Sequence, residues 1–221
     1  MKLYCDPIST TSRPVLLFLA DHDLAVEVQH VCLLTGEHFG EAYSAINPNR
    51  QVPCLVDGDL VLPESSAILK HLADAAGSPA YPTERKARSR VNAAMDWFNT
   101  GYSFSMNYQH VYPQFLPNHA WEDPQVQAAV TARGLAIGRE KLDVLDRHML
   151  ADRFVCGPDV TLADYLGGAY VGLSEAIGFD LSPWPKVAAW MDRLRARPGW
   201  DEVHAAFYGF LAKLAQARAA A

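Results

Sequence analysis

The sequence predicts a small α/β domain followed by a larger all-helical domain. Three observations support this prediction. Strand and helix patterns alternate over residues 1–76, every long segment of residues 85–221 has helical periodicity, and residues 77–84 contain a glycine and two prolines that would interrupt either element. Residues 1–76 also carry 4 Lys/Arg and 10 Asp/Glu, whereas the rest of the chain carries 15 of each. We therefore expect residues 77–84 to be a linker.

The first domain begins with a strand, a helix and a second strand. Residues 2–5 have the pattern of a strand, and Pro14 stands in the first turn of the apolar run that follows, where its missing N–H costs nothing. Residues 26–31 alternate apolar and polar side chains, which is typical of a half-buried strand.

A hairpin and a helix complete this domain. The apolar runs at 53–56 and 60–62 flank Asp57-Gly58-Asp59, where glycine supplies the positive φ of a tight turn. An amphipathic segment begins near Glu64 and ends at Gly77. The element order is therefore β-α-β followed by β-β-α.

Only helical patterns follow the linker. Val91, Met95 and Phe98 show the spacing of a buried helix face. Farther along, Thr161 and Asp164 are placed as in a capping box, in which Thr161 caps a helix start and Asp164 accepts from a backbone N–H. We expect a helix that is important for folding to begin there.

Composition and charge exclude several functional classes. Half of the residues are hydrophobic and the mean hydropathy is -0.05, which favours a soluble folded protein over a disordered or membrane protein. A net charge of -6 without a basic cluster argues against nucleic acid. The four cysteines have neither CxxC nor zinc-knuckle spacing, so we expect reduced thiols and no metal. The first ten residues do not resemble an export signal, which favours a cytoplasmic location.

Four motifs in sequence order carry a resemblance to a known family. They are Leu3-Tyr4 with Ser9 and Ser12-Arg13, then Gln51-Val52-Pro53, the run PESSAI at 63–68, and the capping box at 161–164. With the domain order, these motifs resemble the theta-like and bacterial serine-type members of the cytosolic glutathione transferases over essentially the whole chain. The resemblance implies a thioredoxin-like domain over 1–76, an all-α domain over 85–221, and a homodimer. It also implies a detoxification role with reduced glutathione as cosubstrate and no other cofactor.

The resemblance places the catalytic hydroxyl on Ser9. A free thiol has a pKa of ~8.5, and a hydroxyl that donates to the thiolate of glutathione would lower this pKa. The start of the following helix would favour the same anion. Ser9, Thr10, Thr11 and Ser12 could each instead cap that helix, and we expect Ser12 to act as a cap or support.

The other implied glutathione-binding residues also lie in the first domain. They are His38, Gln51, Val52, Pro53, Glu64 and Ser65. Glu64 would accept from the γ-glutamyl ammonium, and Ser65 would bind the neighbouring carboxylate at a helix start. Val52, before a cis Pro53, would present its N–H and C=O to the cysteinyl part of the peptide. His38 and Gln51 would approach the glycyl carboxylate.

A hydrophobic electrophile is expected to bind beside an aromatic stretch of the helical domain. Apolar, polarisable side chains suit such a substrate, although aromatic and Met residues at helical spacing are also typical of a core. The candidate pocket residues are Met106, Tyr108, His110, Tyr112 and Phe115.

The expected activity is attack of glutathione thiolate on a hydrophobic electrophile, by conjugation or dehalogenation. One alternative is a glutathione-dependent peroxidase or disulfide reductase. Another is a non-catalytic member that binds ligands or proteins, because a fold does not determine a function. Turnover of organic hydroperoxides would distinguish the first alternative, and an unchanged thiol pKa of bound glutathione would favour the second.

Overall fold

The chain, in a computed structural model that describes residues 1–219, divides into two compact units. One unit contains Met1–Tyr81 together with the chain from Arg197 onward, and the other contains Pro82–Ala196. The boundary after Tyr81 lies inside the predicted linker, 77–84. The last helix, however, groups with the first unit, whereas the sequence predicted one domain over 85–221. Helical periodicity predicts a helix but does not identify its packing partner, which explains the difference.

The first unit contains a four-stranded mixed sheet, and its four strands lie in the segments predicted from the sequence. Its strands are β1 (Lys2–Cys5), β2 (Glu27–His30), β3 (Cys54–Asp57) and β4 (Leu60–Pro63). Their order is β2-β1-β3-β4, with β1 and β2 parallel and the other neighbours antiparallel. The parallel pair requires a crossover, which contains helix α1 (Arg13–Ala20). Gly58 has φ 61° in the β3–β4 turn, which confirms the predicted hairpin.

Strand β2 differs from the prediction of a half-buried strand. It lies at the sheet edge, and all four of its residues are exposed. Val28, for example, retains 51% of its accessible surface. Alternating polarity along a strand predicts which face is apolar, but it does not show whether another element covers that face.

Eight α-helices are present in the described chain. Those of the first unit are α1, α2 (Glu41–Ile46), α3 (Ser65–Ala75) and α8 (Trp200–Ala219), and those of the second are α4 (Arg85–Asp96), α5 (Pro124–Val144), α6 (Leu162–Gly172) and α7 (Pro185–Arg195). Wider helical turns extend α4 over Trp97–Val111 and α5 over Leu145–Met149. Short 3-10 turns cover Glu37–Phe39, Tyr112–Gln114, Pro117–His119 and Leu173–Ile177. Within residues 1–219, none of these helices has both the length and the apolar composition needed to cross a bilayer.

Helix α8 is held against α1 by close packing and by interactions of charged side chains. A Cβ on Gly199 would lie 2.7 Å from the Cβ of Ala20, so the approach requires glycine. The Arg197 guanidinium donates to Asp21 at 2.9 and 2.7 Å. The Arg13 guanidinium lies 3.6 Å from the centre of the Phe207 ring. These contacts explain why the C-terminal helix belongs to the first unit.

Asp164 organises the start of α6 in the second unit. The predicted capping box is formed, and the Asp164 carboxylate accepts from the Thr161 N–H and hydroxyl, both at 2.8 Å. It also accepts from the Val155 N–H and from Trp190 Nε1–H of α7, both at 2.9 Å. Burial raises the pKa of Asp164, and the four hydrogen bonds oppose that effect. One carboxylate therefore joins a loop and two helices.

Asp164→Ala should lower the free energy of unfolding by about 3 kcal/mol, because four buried donors would lose their acceptor. A lost helix cap alone costs only about 0.5–2 kcal/mol. Urea unfolding followed by circular dichroism measures the difference. The control is Asp180→Ala, which removes an exposed carboxylate that, among residues 1–219, is bonded only to Ser182, and it should cost less than about 1 kcal/mol. Equal losses in the two variants would contradict this interpretation.

Candidate functional site

Strand register brings three segments to one end of the sheet of the first unit. Cys54 pairs with Tyr4 of β1 on one side and with Pro63 of β4 on the other. Because both pairings are antiparallel, the turn after β1, the segment before β3 and the residues after β4 meet at the same end. Ser9, Val52, Pro53, Glu64 and Ser65 lie in these three segments. The motifs that are far apart in sequence are thus neighbours in the fold.

The turn after β1 presents a row of hydroxyl groups before α1. The Ser9 N–H donates to the Asp6 carbonyl at 2.9 Å, and the Arg13 N–H donates to the Ser9 carbonyl at 3.1 Å. Ser9 retains 9% of its accessible surface, and Ser12 is completely buried. The backbone of the turn is therefore held by its own hydrogen bonds.

Hydrogen bonds determine the direction of the Ser9 hydroxyl. Thr11 Oγ1 lies 2.8 Å from the Val52 carbonyl oxygen, which can only accept, so the single Thr11 hydroxyl hydrogen is used there. Ser9 Oγ lies 3.0 Å from Thr11 Oγ1, and Ser9 must then be the donor of that bond. The Ser12 N–H donates to Ser9 Oγ at 3.2 Å. We call this chain from Ser12 through Ser9 and Thr11 to Val52 the hydroxyl relay.

The relay shows how capping and donation can coexist at Ser9. Its oxygen accepts from an N–H three residues later, as a capping hydroxyl does, while its hydrogen can be offered to another acceptor. Ser12 makes no capping bond to α1. Its Oγ instead accepts from the Asp6 N–H at 3.4 Å, so Ser12 supports the turn and is not a cap.

In the segment before β3, hydrogen bonds hold the backbone carbonyl groups, whereas one backbone N–H can still donate to a ligand. The Val52–Pro53 peptide bond is cis, which confirms that prediction. The Gln51 carbonyl accepts from Tyr43 Oη–H at 2.6 Å and from Asn47 Nδ2–H at 2.8 Å. In the described part of the chain the Val52 N–H has no hydrogen-bond partner. The carbonyl of Val52, which the sequence analysis also offered to a ligand, already accepts from Thr11.

The junction between β4 and α3 combines a strained residue with an uncapped helix start. Glu64 has φ 72° and ψ 114°, a conformation that costs a non-glycine residue about 1–3 kcal/mol and is typical of functional sites. Ser65, which is buried, begins α3, and no side chain caps this helix. The first N–H groups of α3 can therefore bind an anion beside the exposed Glu64 carboxylate.

His38 lies in the 3-10 turn at Glu37–Phe39 and is partly buried. Burial lowers the pKa of His38, and the nearby Asp6 charge opposes that effect. Its Nδ1 is buried and lacks a partner among residues 1–219. The Gln51 side chain is exposed, and no hydrogen bond in the described chain joins it to His38.

The five residues predicted for an electrophile pocket divide into two groups. Met106 is fully buried against α5, where a Cβ on Gly138 would lie 2.7 Å from the Met106 sulfur, so Met106 is a core residue. His110 is also mostly buried, and its Nδ1 lies 3.1 Å from the Thr131 carbonyl oxygen. Burial lowers the pKa of His110.

Tyr108, Tyr112 and Phe115 instead form an aromatic cluster with His119. The Tyr112 ring centre lies 5.2 Å from that of Tyr108, 6.0 Å from that of Phe115 and 4.9 Å from that of His119. Tyr108 is 48% exposed. His119 stands outside the continuous aromatic stretch, so the sequence pattern did not point to it. Thr11 was expected only as a possible cap, because its Val52 partner lies 41 residues away.

Known proteins resemble both units of the chain. Family models described as the N-terminal and C-terminal domains of glutathione S-transferase match residues 3–80 and 128–193. Human glutathione S-transferase theta-1 is 32% identical over 210 residues, which cover 91% of this chain and 85% of that protein. Human theta-2 is 30% identical over 227 residues, with coverage of 98% and 90%.

Solved structures show the same similarity in three dimensions. Apo human glutathione S-transferase T1-1 superposes with a TM-score of 0.80 at 30% identity, covering 93% of this chain and 88% of that one. Human theta-2 in complex with glutathione and an unknown ligand superposes with a TM-score of 0.83 at 26% identity, with coverage of 97% and 90%.

Tyr43→Phe and Asn47→Ala should each lower the free energy of unfolding by about 0.5–1.5 kcal/mol, because each removes one donor to the Gln51 carbonyl. The double variant leaves this carbonyl without either donor and should lose more than the sum of the single losses. Urea unfolding of the four proteins completes the cycle. Strict additivity would show that the two donors do not share the carbonyl.

Proposed function

The chain belongs to the glutathione transferase family, and we propose that Ser9 activates the thiolate of reduced glutathione for attack on a hydrophobic electrophile. The hydroxyl relay is the observation that supports this proposal most strongly. It holds the Ser9 oxygen in place through the Ser12 N–H and leaves the Ser9 hydrogen on a neighbouring hydroxyl, which is a replaceable acceptor. A thiolate is a charged acceptor and would compete well for that hydrogen.

Glutathione binds, in this proposal, as a short extended peptide at the end of the sheet. The unpaired Val52 N–H donates to the cysteinyl carbonyl, as in the addition of one strand. Since Thr11 links Val52 to Ser9 by hydrogen bonds of 2.8 and 3.0 Å, a cysteinyl residue held by Val52 brings its sulfur near the Ser9 hydroxyl. The cis Pro53 follows directly.

The two ends of glutathione are assigned to the flanking segments. Glu64 accepts from the γ-glutamyl ammonium, while Ser65 and the uncapped start of α3 bind the neighbouring carboxylate. His38 and Gln51 take the glycyl carboxylate. Residues 1–76 carry a net charge of -6, so these local donors have to bind an anionic peptide against an unfavourable overall field.

The chemical step needs a thiolate and no protein nucleophile. Lowering a thiol pKa by about two units requires roughly 2.7 kcal/mol, and a hydrogen bond to a charged group supplies roughly 1.5–3 kcal/mol. Ser9 would therefore turn its hydrogen from Thr11 to sulfur while its oxygen keeps the Ser12 N–H. The thiol proton leaves to solvent, the sulfur lone pair of the thiolate attacks the electrophilic carbon, and a leaving group such as halide departs with the electron pair of its bond.

The aromatic cluster is assigned to the electrophile. Tyr108, Tyr112 and Phe115 offer polarisable surfaces that suit an apolar or aromatic substrate. We further propose that the protein acts in the cytoplasm, as a homodimer, in detoxification. The complex of human theta-2 with glutathione supports glutathione as the cosubstrate.

Ser9→Ala should raise the thiol pKa of bound glutathione and lower turnover at neutral pH by about ten- to a hundredfold, because one charge-assisted hydrogen bond is lost. Higher pH should recover part of the rate, since thiolate then forms unaided. The glutathione dissociation constant should change little. Ultraviolet titration of the thiolate in the complex measures the pKa, and Ser12→Ala is the matched control.

Either of two results would contradict the role proposed for Ser9. An unshifted titration for Ser9→Ala beside a shifted one for Ser12→Ala or Thr10→Ala would move the catalytic role to another hydroxyl. A thiol pKa near the free value in the parent complex would instead favour a protein that binds glutathione without activating it.

Thr11→Val should weaken glutathione binding by about three- to tenfold, because the Val52 carbonyl loses its donor and the segment that presents the Val52 N–H is no longer held. The thiol pKa of the bound peptide should stay close to that of the parent, since Ser9 is still present. Thr11→Ser keeps the hydroxyl and should restore binding. Calorimetry and thiolate titration separate the two effects, and a raised pKa with unchanged binding would contradict this role for Thr11.

A further inference from the structure

A second group of chemically active side chains lies where β1 and β2 end. Asp6 follows β1, His30 is the last residue of β2, and Cys32 follows two positions later. The parallel register pairs Cys5 with His30, so the ends of these strands lie side by side. One ligand atom from each of Asp6, His30 and Cys32 lies within 4.8 Å of the other two. A carboxylate, an imidazole and a thiol in this arrangement match the ligand types of zinc.

We propose that Asp6, His30 and Cys32 form a binding site for one divalent transition-metal ion with the preferences of Zn²⁺. Three protein ligands leave the fourth tetrahedral position to water or to a small ligand. The thiol of Cys32 gives its proton to solvent when the ion binds, because the thiolate is the ligand. The site is separate from the residues assigned to glutathione.

The distance between the imidazole and the carboxylate fits a shared ion. His30 Nε2 lies 3.5 Å from Asp6 Oδ1, which is longer than a good N–H···O hydrogen bond of about 2.7–3.2 Å. Two ligand atoms held about 2.0–2.2 Å from a tetrahedral ion are about 3.4 Å apart. These two atoms therefore already have nearly the separation that coordination requires.

Asp6 is oriented for this role by the backbone. It is 2% exposed, and its Oδ1 accepts from the Ile8 N–H at 3.0 Å while its Oδ2 accepts from the Leu33 N–H at 2.8 Å. A carboxylate has about four lone-pair positions, so both oxygens can still bind a cation. Such outer hydrogen bonds orient metal ligands. Because Leu33 directly follows Cys32, the same bond that orients Asp6 also keeps Cys32 near it.

The site is open to solvent on the side of the other two ligands. The His30 side chain is 57% exposed, and Cys32 is partly exposed. The Cys32 N–H donates to Glu37 at 2.8 Å, which restrains the loop that carries the thiol. An ion can thus enter without unfolding the chain. Cysteine spacing argued against a zinc knuckle, but it carries no information about Asp6 and His30, which are 24 positions apart in sequence and are brought together by strand pairing.

The test uses the full-length chain without an affinity tag, reduced and freed of metal. Titration with Co²⁺ should give a thiolate-to-cobalt charge-transfer band that saturates at one equivalent, and Zn²⁺ should compete with a chromophoric chelator at the same stoichiometry. Cys32→Ser should abolish the band, and Cys32→Ser and His30→Asn should each weaken zinc binding by at least about tenfold. Asp6 is left intact because its backbone contacts hold the turn that carries Ser9.

Cys156→Ser is the matched control, since it removes another partly exposed cysteine from the second unit. Burial raises the pKa of the Cys156 thiol to about 11, and this variant should bind both metals like the parent. Equal circular dichroism spectra verify that each variant is folded. Absence of a one-to-one cobalt complex in the parent, or unchanged zinc affinity in both Cys32→Ser and His30→Asn, would overturn the proposal. Glutathione binding is measured separately, so this outcome leaves the proposed transferase activity untouched.

Discussion

The pairing of Cys54 with both Tyr4 and Pro63 is the constraint on which the proposed glutathione site depends. Antiparallel register on both sides of β3 brings the end of β1, the start of β3 and the end of β4 to one end of the sheet. A shift of one residue would turn each side chain of the moved strand to the opposite face and would separate Val52 from the turn that carries Ser9. The buried Leu3 and Leu55, which face each other in this register, help to hold it.

Hydrogen bonds between these segments then orient the hydroxyl group that is proposed to act on glutathione. The Val52 carbonyl can only accept, and this single fact orients Thr11 and, through it, Ser9. The resulting row of dipoles needs no charged group, which suits an acidic domain that is proposed to bind an anionic peptide. A neutral donor can stabilise a thiolate without attracting the other charges of the substrate.

The proposed metal site lies at the same end of the sheet. Parallel pairing of β1 with β2 places Asp6 beside His30, just as antiparallel pairing with β3 places the Ser9 turn beside Val52. Asp6 takes part in both regions, because its carbonyl accepts from the Ser9 N–H while its carboxylate accepts from Leu33. One short turn can thus support two sites of different chemistry.

Features that depend on residues a few positions apart could be predicted from the sequence. These include the order of strands and helices, the turn at Gly58 and the capping box at Thr161 and Asp164, because backbone conformation and local hydrogen bonds specify them. The motif that contains Pro53 also predicted a cis bond correctly. The remaining features required the tertiary structure.

Which distant surfaces and groups meet depends on the packing of the whole chain. This packing leaves β2 exposed at the sheet edge and places α8 against α1. It also buries Met106 in the core while Tyr108 remains at the surface. It also joined Thr11 to Val52 across 41 residues. Local periodicity specifies which face of an element is apolar, but the packing of the whole chain decides what covers that face and which polar groups find a partner.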